Sequence, residues 1–144
     1  MDPENSGLVE WKCQKAIVAF FRCLDECNYP GLLARMHPEG VWLRQGKQLK
    51  GERQIMEAMH ARSETLRVCH ILTNVTVDVD SESGRASLFG YLLVFRHDDG
   101  KKHKGPAPLR GPSSINACNA EFRPIDGDWR IHRIENIPTL TAQE

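Results

Sequence analysis

Asp25 and His70 are the residues of this 144-residue chain whose surroundings best fit proton chemistry. Asp25 follows an apolar stripe formed by Ile17, Phe20, Phe21 and Leu24. At about 100° per residue it falls on the flank of that stripe, not opposite it. A carboxylate there loses part of its hydration, which raises its pKa unless a partner compensates. The plain alternative is a helix-end Asp in solvent. His70 stands in Cys69-His70-Ile71-Leu72, an otherwise apolar strand start. Its plain alternative is a core imidazole satisfied by a backbone carbonyl. If the two residues pair, the carboxylate holds the imidazole in one tautomer and lets it take and return a proton. Such a pair suits removal of a proton next to a carbonyl, followed by loss of water or migration of a double bond. That chemistry needs neither a metal nor a cofactor.

Other residues offer less. His97 ends a strand beside Asp98 and Asp99, where it faces either a pocket mouth or solvent. Asn116, Cys118, Ala120 and Phe122 share one face of a later strand, and Ile115, Ala117, Asn119 and Glu121 share the other. Both faces mix polar and apolar residues, so alternation alone does not choose the inner side. Trp42 and Met59 fit apolar pocket walls, and equally an ordinary core. The five cysteines, at 13, 23, 27, 69 and 118, contain no Cys-x-x-Cys. Cys23 and Cys27 can share a helix face, with His37 following, but a metal site would need two further ligands. Reduced thiols are the expectation. No Gly-x-Gly-x-x-Gly, phosphate-binding loop or Ser/His/Asp signature occurs.

The elements that must position these residues divide the chain in two. Over residues 8–27 apolar residues recur at spacings of three and four, which predicts a helix. Asn28, Pro30 and Gly31 break it. Residues 32–36 make a short helical segment, which His37-Pro38-Glu39-Gly40 stops. Residues 41–44 and 47–50 form a small hairpin across Gln45-Gly46. A further helix begins at Gly51 and carries Ile55, Met56 and Met59. The second half then alternates with period two, as in Val75, Val77 and Val79 against Thr76, Asp78 and Asp80. Strands are expected over 69–80, 86–97, 114–125 and 129–137. Residues 1–7, 98–112 and 139–144 are expected to be a flexible N-terminus, a flexible loop and a C-terminal tail. Helices followed by strands with short connections give one α+β domain, 1–144, with a mostly antiparallel sheet. A curved sheet holding helices on its concave side encloses a pocket, the default ligand site.

The order of these motifs resembles a known family. Three stretches carry the likeness. The first is Leu24-Asp25-Glu26-Cys27-Asn28-Tyr29 with Met36-His37-Pro38-Glu39-Gly40-Val41-Trp42. The second is Lys50-Gly51-Glu52-Arg53-Gln54-Ile55. The third is Arg67-Val68-Cys69-His70-Ile71-Leu72-Thr73-Asn74, with Asp126-Gly127-Asp128-Trp129-Arg130-Ile131 closing the strands. The chain resembles the SnoaL-like branch of the nuclear-transport-factor-2-like superfamily, and within it scytalone-dehydratase-like and bile-acid-dehydratase-like members. The resemblance implies a cone-shaped fold of three N-terminal helices on a curved sheet. It implies catalytic roles for Asp25 and His70, and a weaker one for His97. Two pocket tyrosines of the fungal dehydratase correspond to Leu24 and Arg44 here, and its polar pocket residues to Asn116 and Cys118. Asn116 would then donate to a substrate oxygen. The expected substrate is a small, mostly apolar hydroxy-carbonyl compound, and the expected reaction a dehydration or isomerisation without cofactor or metal. A non-catalytic binding or accessory subunit, like the β-subunits of ring-hydroxylating dioxygenases, is the alternative, as is a polyketide-cyclase-like enzyme. The lost tyrosines point to a changed substrate or to the binding role. Related proteins pack as dimers or trimers through the outer sheet face, so a homodimer or homotrimer is expected.

Composition narrows the partners. Lys plus Arg is 19 and Asp plus Glu is 19, so the formal charge is zero. That removes the usual electrostatic reason to bind nucleic acid or an acidic membrane surface. No apolar run approaches the roughly 18 residues that span a bilayer. The polar start lacks the pattern of a signal peptide, so a cytoplasmic protein is expected. The basic loop at 98–112 is long for a hairpin and fits a lid, an interface arm or a solvated loop. With Arg44, it leaves room for an acidic or coenzyme-linked substrate without requiring one.

Overall fold

The first helix, α1 (Pro3–Asp25), runs for 23 residues because its apolar positions repeat at helical spacing. Val9, Cys13, Ala16, Ile17, Phe20, Phe21 and Leu24 are buried along one side, while Trp11 and Val18 face out. The helix ends where Cys27 takes a left-handed φ of 58° and the Asn28 N–H returns to the Cys23 carbonyl at 2.8 Å. Asn28 then caps the short α2 (Tyr29–Leu33), its Oδ1 accepting the Gly31 N–H at 3.1 Å. The computed structural model describes residues 3–143. Residues 3–7, expected to be flexible, are already helical, because nothing in Pro3-Glu4-Asn5-Ser6-Gly7 stops the helix and Pro is tolerated in its first turn. Met1 and Asp2 lie outside the described residues.

Six strands and a third helix follow: β1 (Met36–Arg44), β2 (Lys47–Lys50), α3 (Gly51–His60), β3 (Arg67–Asp80), β4 (Arg85–His97), β5 (Ser114–Ile125) and β6 (Asp128–Thr141). The sheet order is β2-β1-β6-β5-β4-β3. All neighbours are antiparallel except β1 and β6, which run parallel. Residues 37–40, read from sequence as a helix stop, belong to β1. They form an irregular stretch between the pairs Met36↔Ile131 and Val41↔Arg133. Gly40 is required there: a Cβ would lie 2.8 Å from the His37 oxygen and 2.9 Å from the Ile131 oxygen. Residues 139–141, read as a tail, extend β6, since Leu140 and Thr141 pair with Ile115 and Ser114.

The sheet bends at one level. β3 carries a bulge between Thr73 and Thr76, with Asn74 at φ 54°. On β4 beside it, Gly90 keeps its face clear; a Cβ would sit 3.0 Å from the Thr73 oxygen and 3.1 Å from Leu72 Cδ1. The concave side of the bent sheet receives α1, which packs on β3, β4 and β6. Phe20, Phe122, Ile17, Ile131 and Ile134 are fully buried between the layers. Phe20 meets the Trp42 ring edge-on at 5.0 Å. This is the cone-shaped α+β fold, three helices on a curved, mostly antiparallel sheet. Among the described residues no helix is long and apolar enough to cross a membrane.

Candidate functional site

α1 ends at Asp25 beside the start of β3, and this junction builds the site. The Asp25 carboxylate takes two hydrogen bonds from His70. Oδ2 accepts the His70 backbone N–H at 2.9 Å, and Oδ1 lies 2.5 Å from ring Nδ1. An ionised carboxylate only accepts, so this contact puts the ring proton on Nδ1 and leaves Nε2 with its lone pair. Phe21, one helical turn before Asp25, stacks on the imidazole at 5.3 Å with the rings 23° apart. Backbone, carboxylate and aromatic face thus fix the ring from three sides. The His70 and Asp25 side chains are 12% and 19% exposed.

His70 opens onto a cavity of about 800 Å³ between the concave sheet and the helices. That volume lies within the range of small-molecule sites, about 300–1,000 Å³. Asp25 does not line it and stands behind the imidazole. The apolar wall includes Phe21, Leu24, Trp42, Val68, Leu92 and Val94. The polar wall includes Arg44, Lys47, Arg62, Arg96, Ser114, Asn116 and Glu135. Arg62 donates to the Leu24 carbonyl and to the Tyr29 hydroxyl, each at 3.1 Å. Arg44 lies over the Trp42 ring, 5.6 Å from its centre. Burial lowers the pKa of Arg44 from its ordinary value, and the charges of Arg62 and Arg96 lower it further.

The residues singled out in the sequence divide accordingly. Asp25 and His70 meet, and Leu24, Trp42, Arg44 and Asn116 line the same cavity. Asn116 does so differently from the expectation. Its Nδ2 already donates to the Leu92 carbonyl and to Ser114 Oγ, each at 3.1 Å, so Oδ1 is the atom left for a ligand. Met59 and Cys118 are fully buried core residues off the cavity. Met59 faces inward on α3, and Cys118 lies deeper on β5 than Asn116. Burial pushes the Cys118 thiol up to about 12, which keeps it protonated and unreactive. His97 also lies off the cavity. Its Nε2 is 3.4 Å from Asp99, whose carboxylate meets His103 Nε2 at 2.9 Å.

Sequence reasoning missed Arg62, Arg96 and the stacked Phe21. Arg96 was within reach: counting by two from Leu88 through Leu92 gives the inner face of β4, which takes in Arg96 and excludes His97. Arg62 carries no such signal, because it follows α3 in an irregular segment.

Among the described residues two groups of side chains have metal-ligand chemistry, His37 with Glu39 and His132, and His97 with Asp99 and His103. In each, the ligand atoms lie within 4.8 Å of one another. Neither uses Cys23 or Cys27, which are free thiols, as are Cys13, Cys69 and Cys118. The loop at 98–112 is anchored through its first residues. Arg67 donates to the His103 carbonyl at 2.9 Å and Thr65 to Asp98 at 2.6 Å, and the loop contributes nothing to the cavity wall.

The chain belongs to the SnoaL-like domain family, whose pattern it matches over residues 8–135. No curated protein matches it in sequence. Solved structures match it in fold. A nuclear-transport-factor-2-like protein with a cystatin-like fold from Novosphingobium aromaticivorans is 20% identical, with 89% of this chain and 80% of that one covered and a TM-score of 0.71. A proposed scytalone dehydratase from the same organism is 17% identical, with 90% and 83% covered and a TM-score of 0.72. ActVI-ORFA from Streptomyces coelicolor is 13% identical, with 89% and 95% covered and a TM-score of 0.70.

Proposed function

We propose that the cavity binds a small hydroxy-carbonyl compound and that Asp25 and His70 catalyse its dehydration or isomerisation without a cofactor. One observation carries this reading: the imidazole is held by a carboxylate at Nδ1 and opens onto a cavity large enough for such a substrate. Neutral His70 Nε2 takes the proton from the carbon next to the carbonyl. The electron pair forms the new double bond as the C–O bond to the neighbouring hydroxyl breaks. The proton on Nε2 then goes to the departing hydroxide, giving water and returning His70 to its neutral form. In an isomerisation the same proton returns to a different carbon. Asp25 stabilises the imidazolium between the two transfers. His97 takes no part. The likeness to a proposed scytalone dehydratase supports the reading at the level of fold.

The test is a panel of β-hydroxy ketones and hydroxylated tetralones, followed by the enone absorbance. Turnover is expected with at least one compound. His70→Ala is expected to lower it by about 10²–10⁴, the usual contribution of a general base. Equal rates for the two proteins would sink the acid–base assignment.

A second reading, a ligand-binding protein without turnover, is favoured by Asn116, whose N–H groups are spent within the fold. It predicts saturable binding of the same compounds with no change in their spectra. Under either reading the chain self-associates through the outer sheet face, where Ile71, Phe89, Tyr91, Ile137 and Leu140 are exposed. The five free thiols fit a reducing compartment such as the cytoplasm.

A further inference from the structure

Arg44, Arg62 and Arg96 come from three separate parts of the chain, namely β1, the segment after α3, and β4. All three line the cavity that His70 opens onto. Their charges are close enough that Arg62 and Arg96 both act on Arg44. Such a convergence is unfavourable unless something negative offsets it. Among the described residues Glu135 is the one carboxylate on the cavity wall, and it is engaged by Arg133 at 3.1 Å. No ion pair involves Arg44, Arg62 or Arg96 among the described residues. General basicity does not explain the cluster, since the whole chain is formally neutral. Two of the arginines are positioned by neutral groups, Arg62 by a carbonyl and a phenol, Arg44 by an aromatic face. These two are oriented without being neutralised.

We infer that this end of the cavity is an anion subsite: the substrate carries a carboxylate or phosphate held by Arg44, Arg62 and Arg96, while its apolar body lies against Trp42 and Leu92. A guanidinium fork matches either anion with two parallel hydrogen bonds. The inference rests on reading this cavity as the substrate site, and it narrows the substrate class from a neutral hydroxy-carbonyl compound to an amphipathic acid. It does not depend on proton transfer at His70.

Two fluorescent probes with the same aryl body test it, anilinonaphthalene sulfonate and the uncharged N-phenylnaphthylamine. The sulfonate stands in for the substrate's anion. The charged probe is expected to bind the intact protein at least about tenfold more tightly, a gap that narrows as salt is added. Arg44→Met and Arg96→Met are each expected to weaken the charged probe about tenfold and to leave the neutral one unchanged. Arg96 is exposed, so its variant folds even if the Arg44 variant does not. Arg85→Met, outside the cavity, is expected to change neither. In competition, 2-naphthoate should displace the charged probe; displacement by inorganic phosphate as well would assign the subsite to phosphate esters. Equal binding of the two probes, or equal weakening of both by the arginine variants, overturns the inference. His70→Ala separates the two readings: if it leaves turnover intact while the probes still discriminate, the acid–base step fails and the anion subsite stands.

Discussion

Asp25 does two jobs with two oxygens. One oxygen orients the imidazole and the other satisfies a backbone N–H. Removing the carboxylate therefore removes more than the hold on the ring. Asp25→Ala is expected to lower stability by about 1–3 kcal/mol, because a partly buried donor loses its acceptor. His70→Ala keeps the backbone bond and should cost less. Urea titrations of both variants check the order. The thiols give a second prediction at this scale. Burial pushes Cys13 and Cys118 up to about 12, whereas Cys27 and Cys69 are exposed. At pH 8 iodoacetamide is expected to modify Cys27 and Cys69 and to spare Cys13 and Cys118 until the protein is unfolded, as mass spectrometry of the peptides would show. Because those two pKa values are raised by folding, the stability they contribute is whole below the ordinary thiol value of 9.0 and is lost as the pH rises toward about 12. The denaturation midpoint should accordingly be lower at pH 11 than at pH 8.

Among the elements, the helix–strand junction and the bent pair β3–β4 decide the shape of the site. Gly90→Ala is expected to destabilise the fold by about 1–3 kcal/mol, since the new methyl must displace the Thr73 carbonyl or the Leu72 side chain. Thermal unfolding of the variant measures it. The elements were legible because their periods differ. Ile17, Phe20, Phe21 and Leu24 repeat as a helix must, and Val75, Val77 and Val79 as a strand must. The pairing of β1 with β6 was not legible, because it joins segments nearly 100 residues apart with no local signal. For the same reason residues 37–40 read as a break: proline and glycine mark irregular backbone without saying whether a sheet continues beyond it. Within the site, Asp25 and His70 were found by the family resemblance, with which their apolar surroundings agree; the surroundings alone fit a plain core histidine equally well. Arg62 was missed, because its role depends on where a loop lies and not on its neighbours in sequence.

At the scale of the whole molecule the sheet has two unlike faces. The concave face encloses the core and the cavity. On the other, Ile71 pairs with Leu93, Leu93 with Ile115 and Ile115 with Leu140, so a row of apolar residues crosses four strands. Phe89 and Tyr91 meet edge to face at 5.6 Å. A contiguous apolar face of this kind is where self-association is expected. Light scattering is expected to give a dimer or trimer, and Tyr91→Lys is expected to give a monomer with unchanged secondary structure. A monomeric parent protein would rule the outer face out as a self-association surface.

The position of β3 bears on how distant relatives should be read. β3 is the outermost strand of its side of the sheet, and an outermost strand with free N–H groups invites pairing with another chain. Asp25 covers one of those groups, that of His70. A relative that catalyses nothing would thus still gain from an acid at this position, which keeps a strand-edge N–H covered. It would gain nothing of the kind from the imidazole, because the covered group belongs to the backbone. In a set of related sequences the acid alone is therefore weak testimony to a working enzyme. Survival of the imidazole beside it is the better witness.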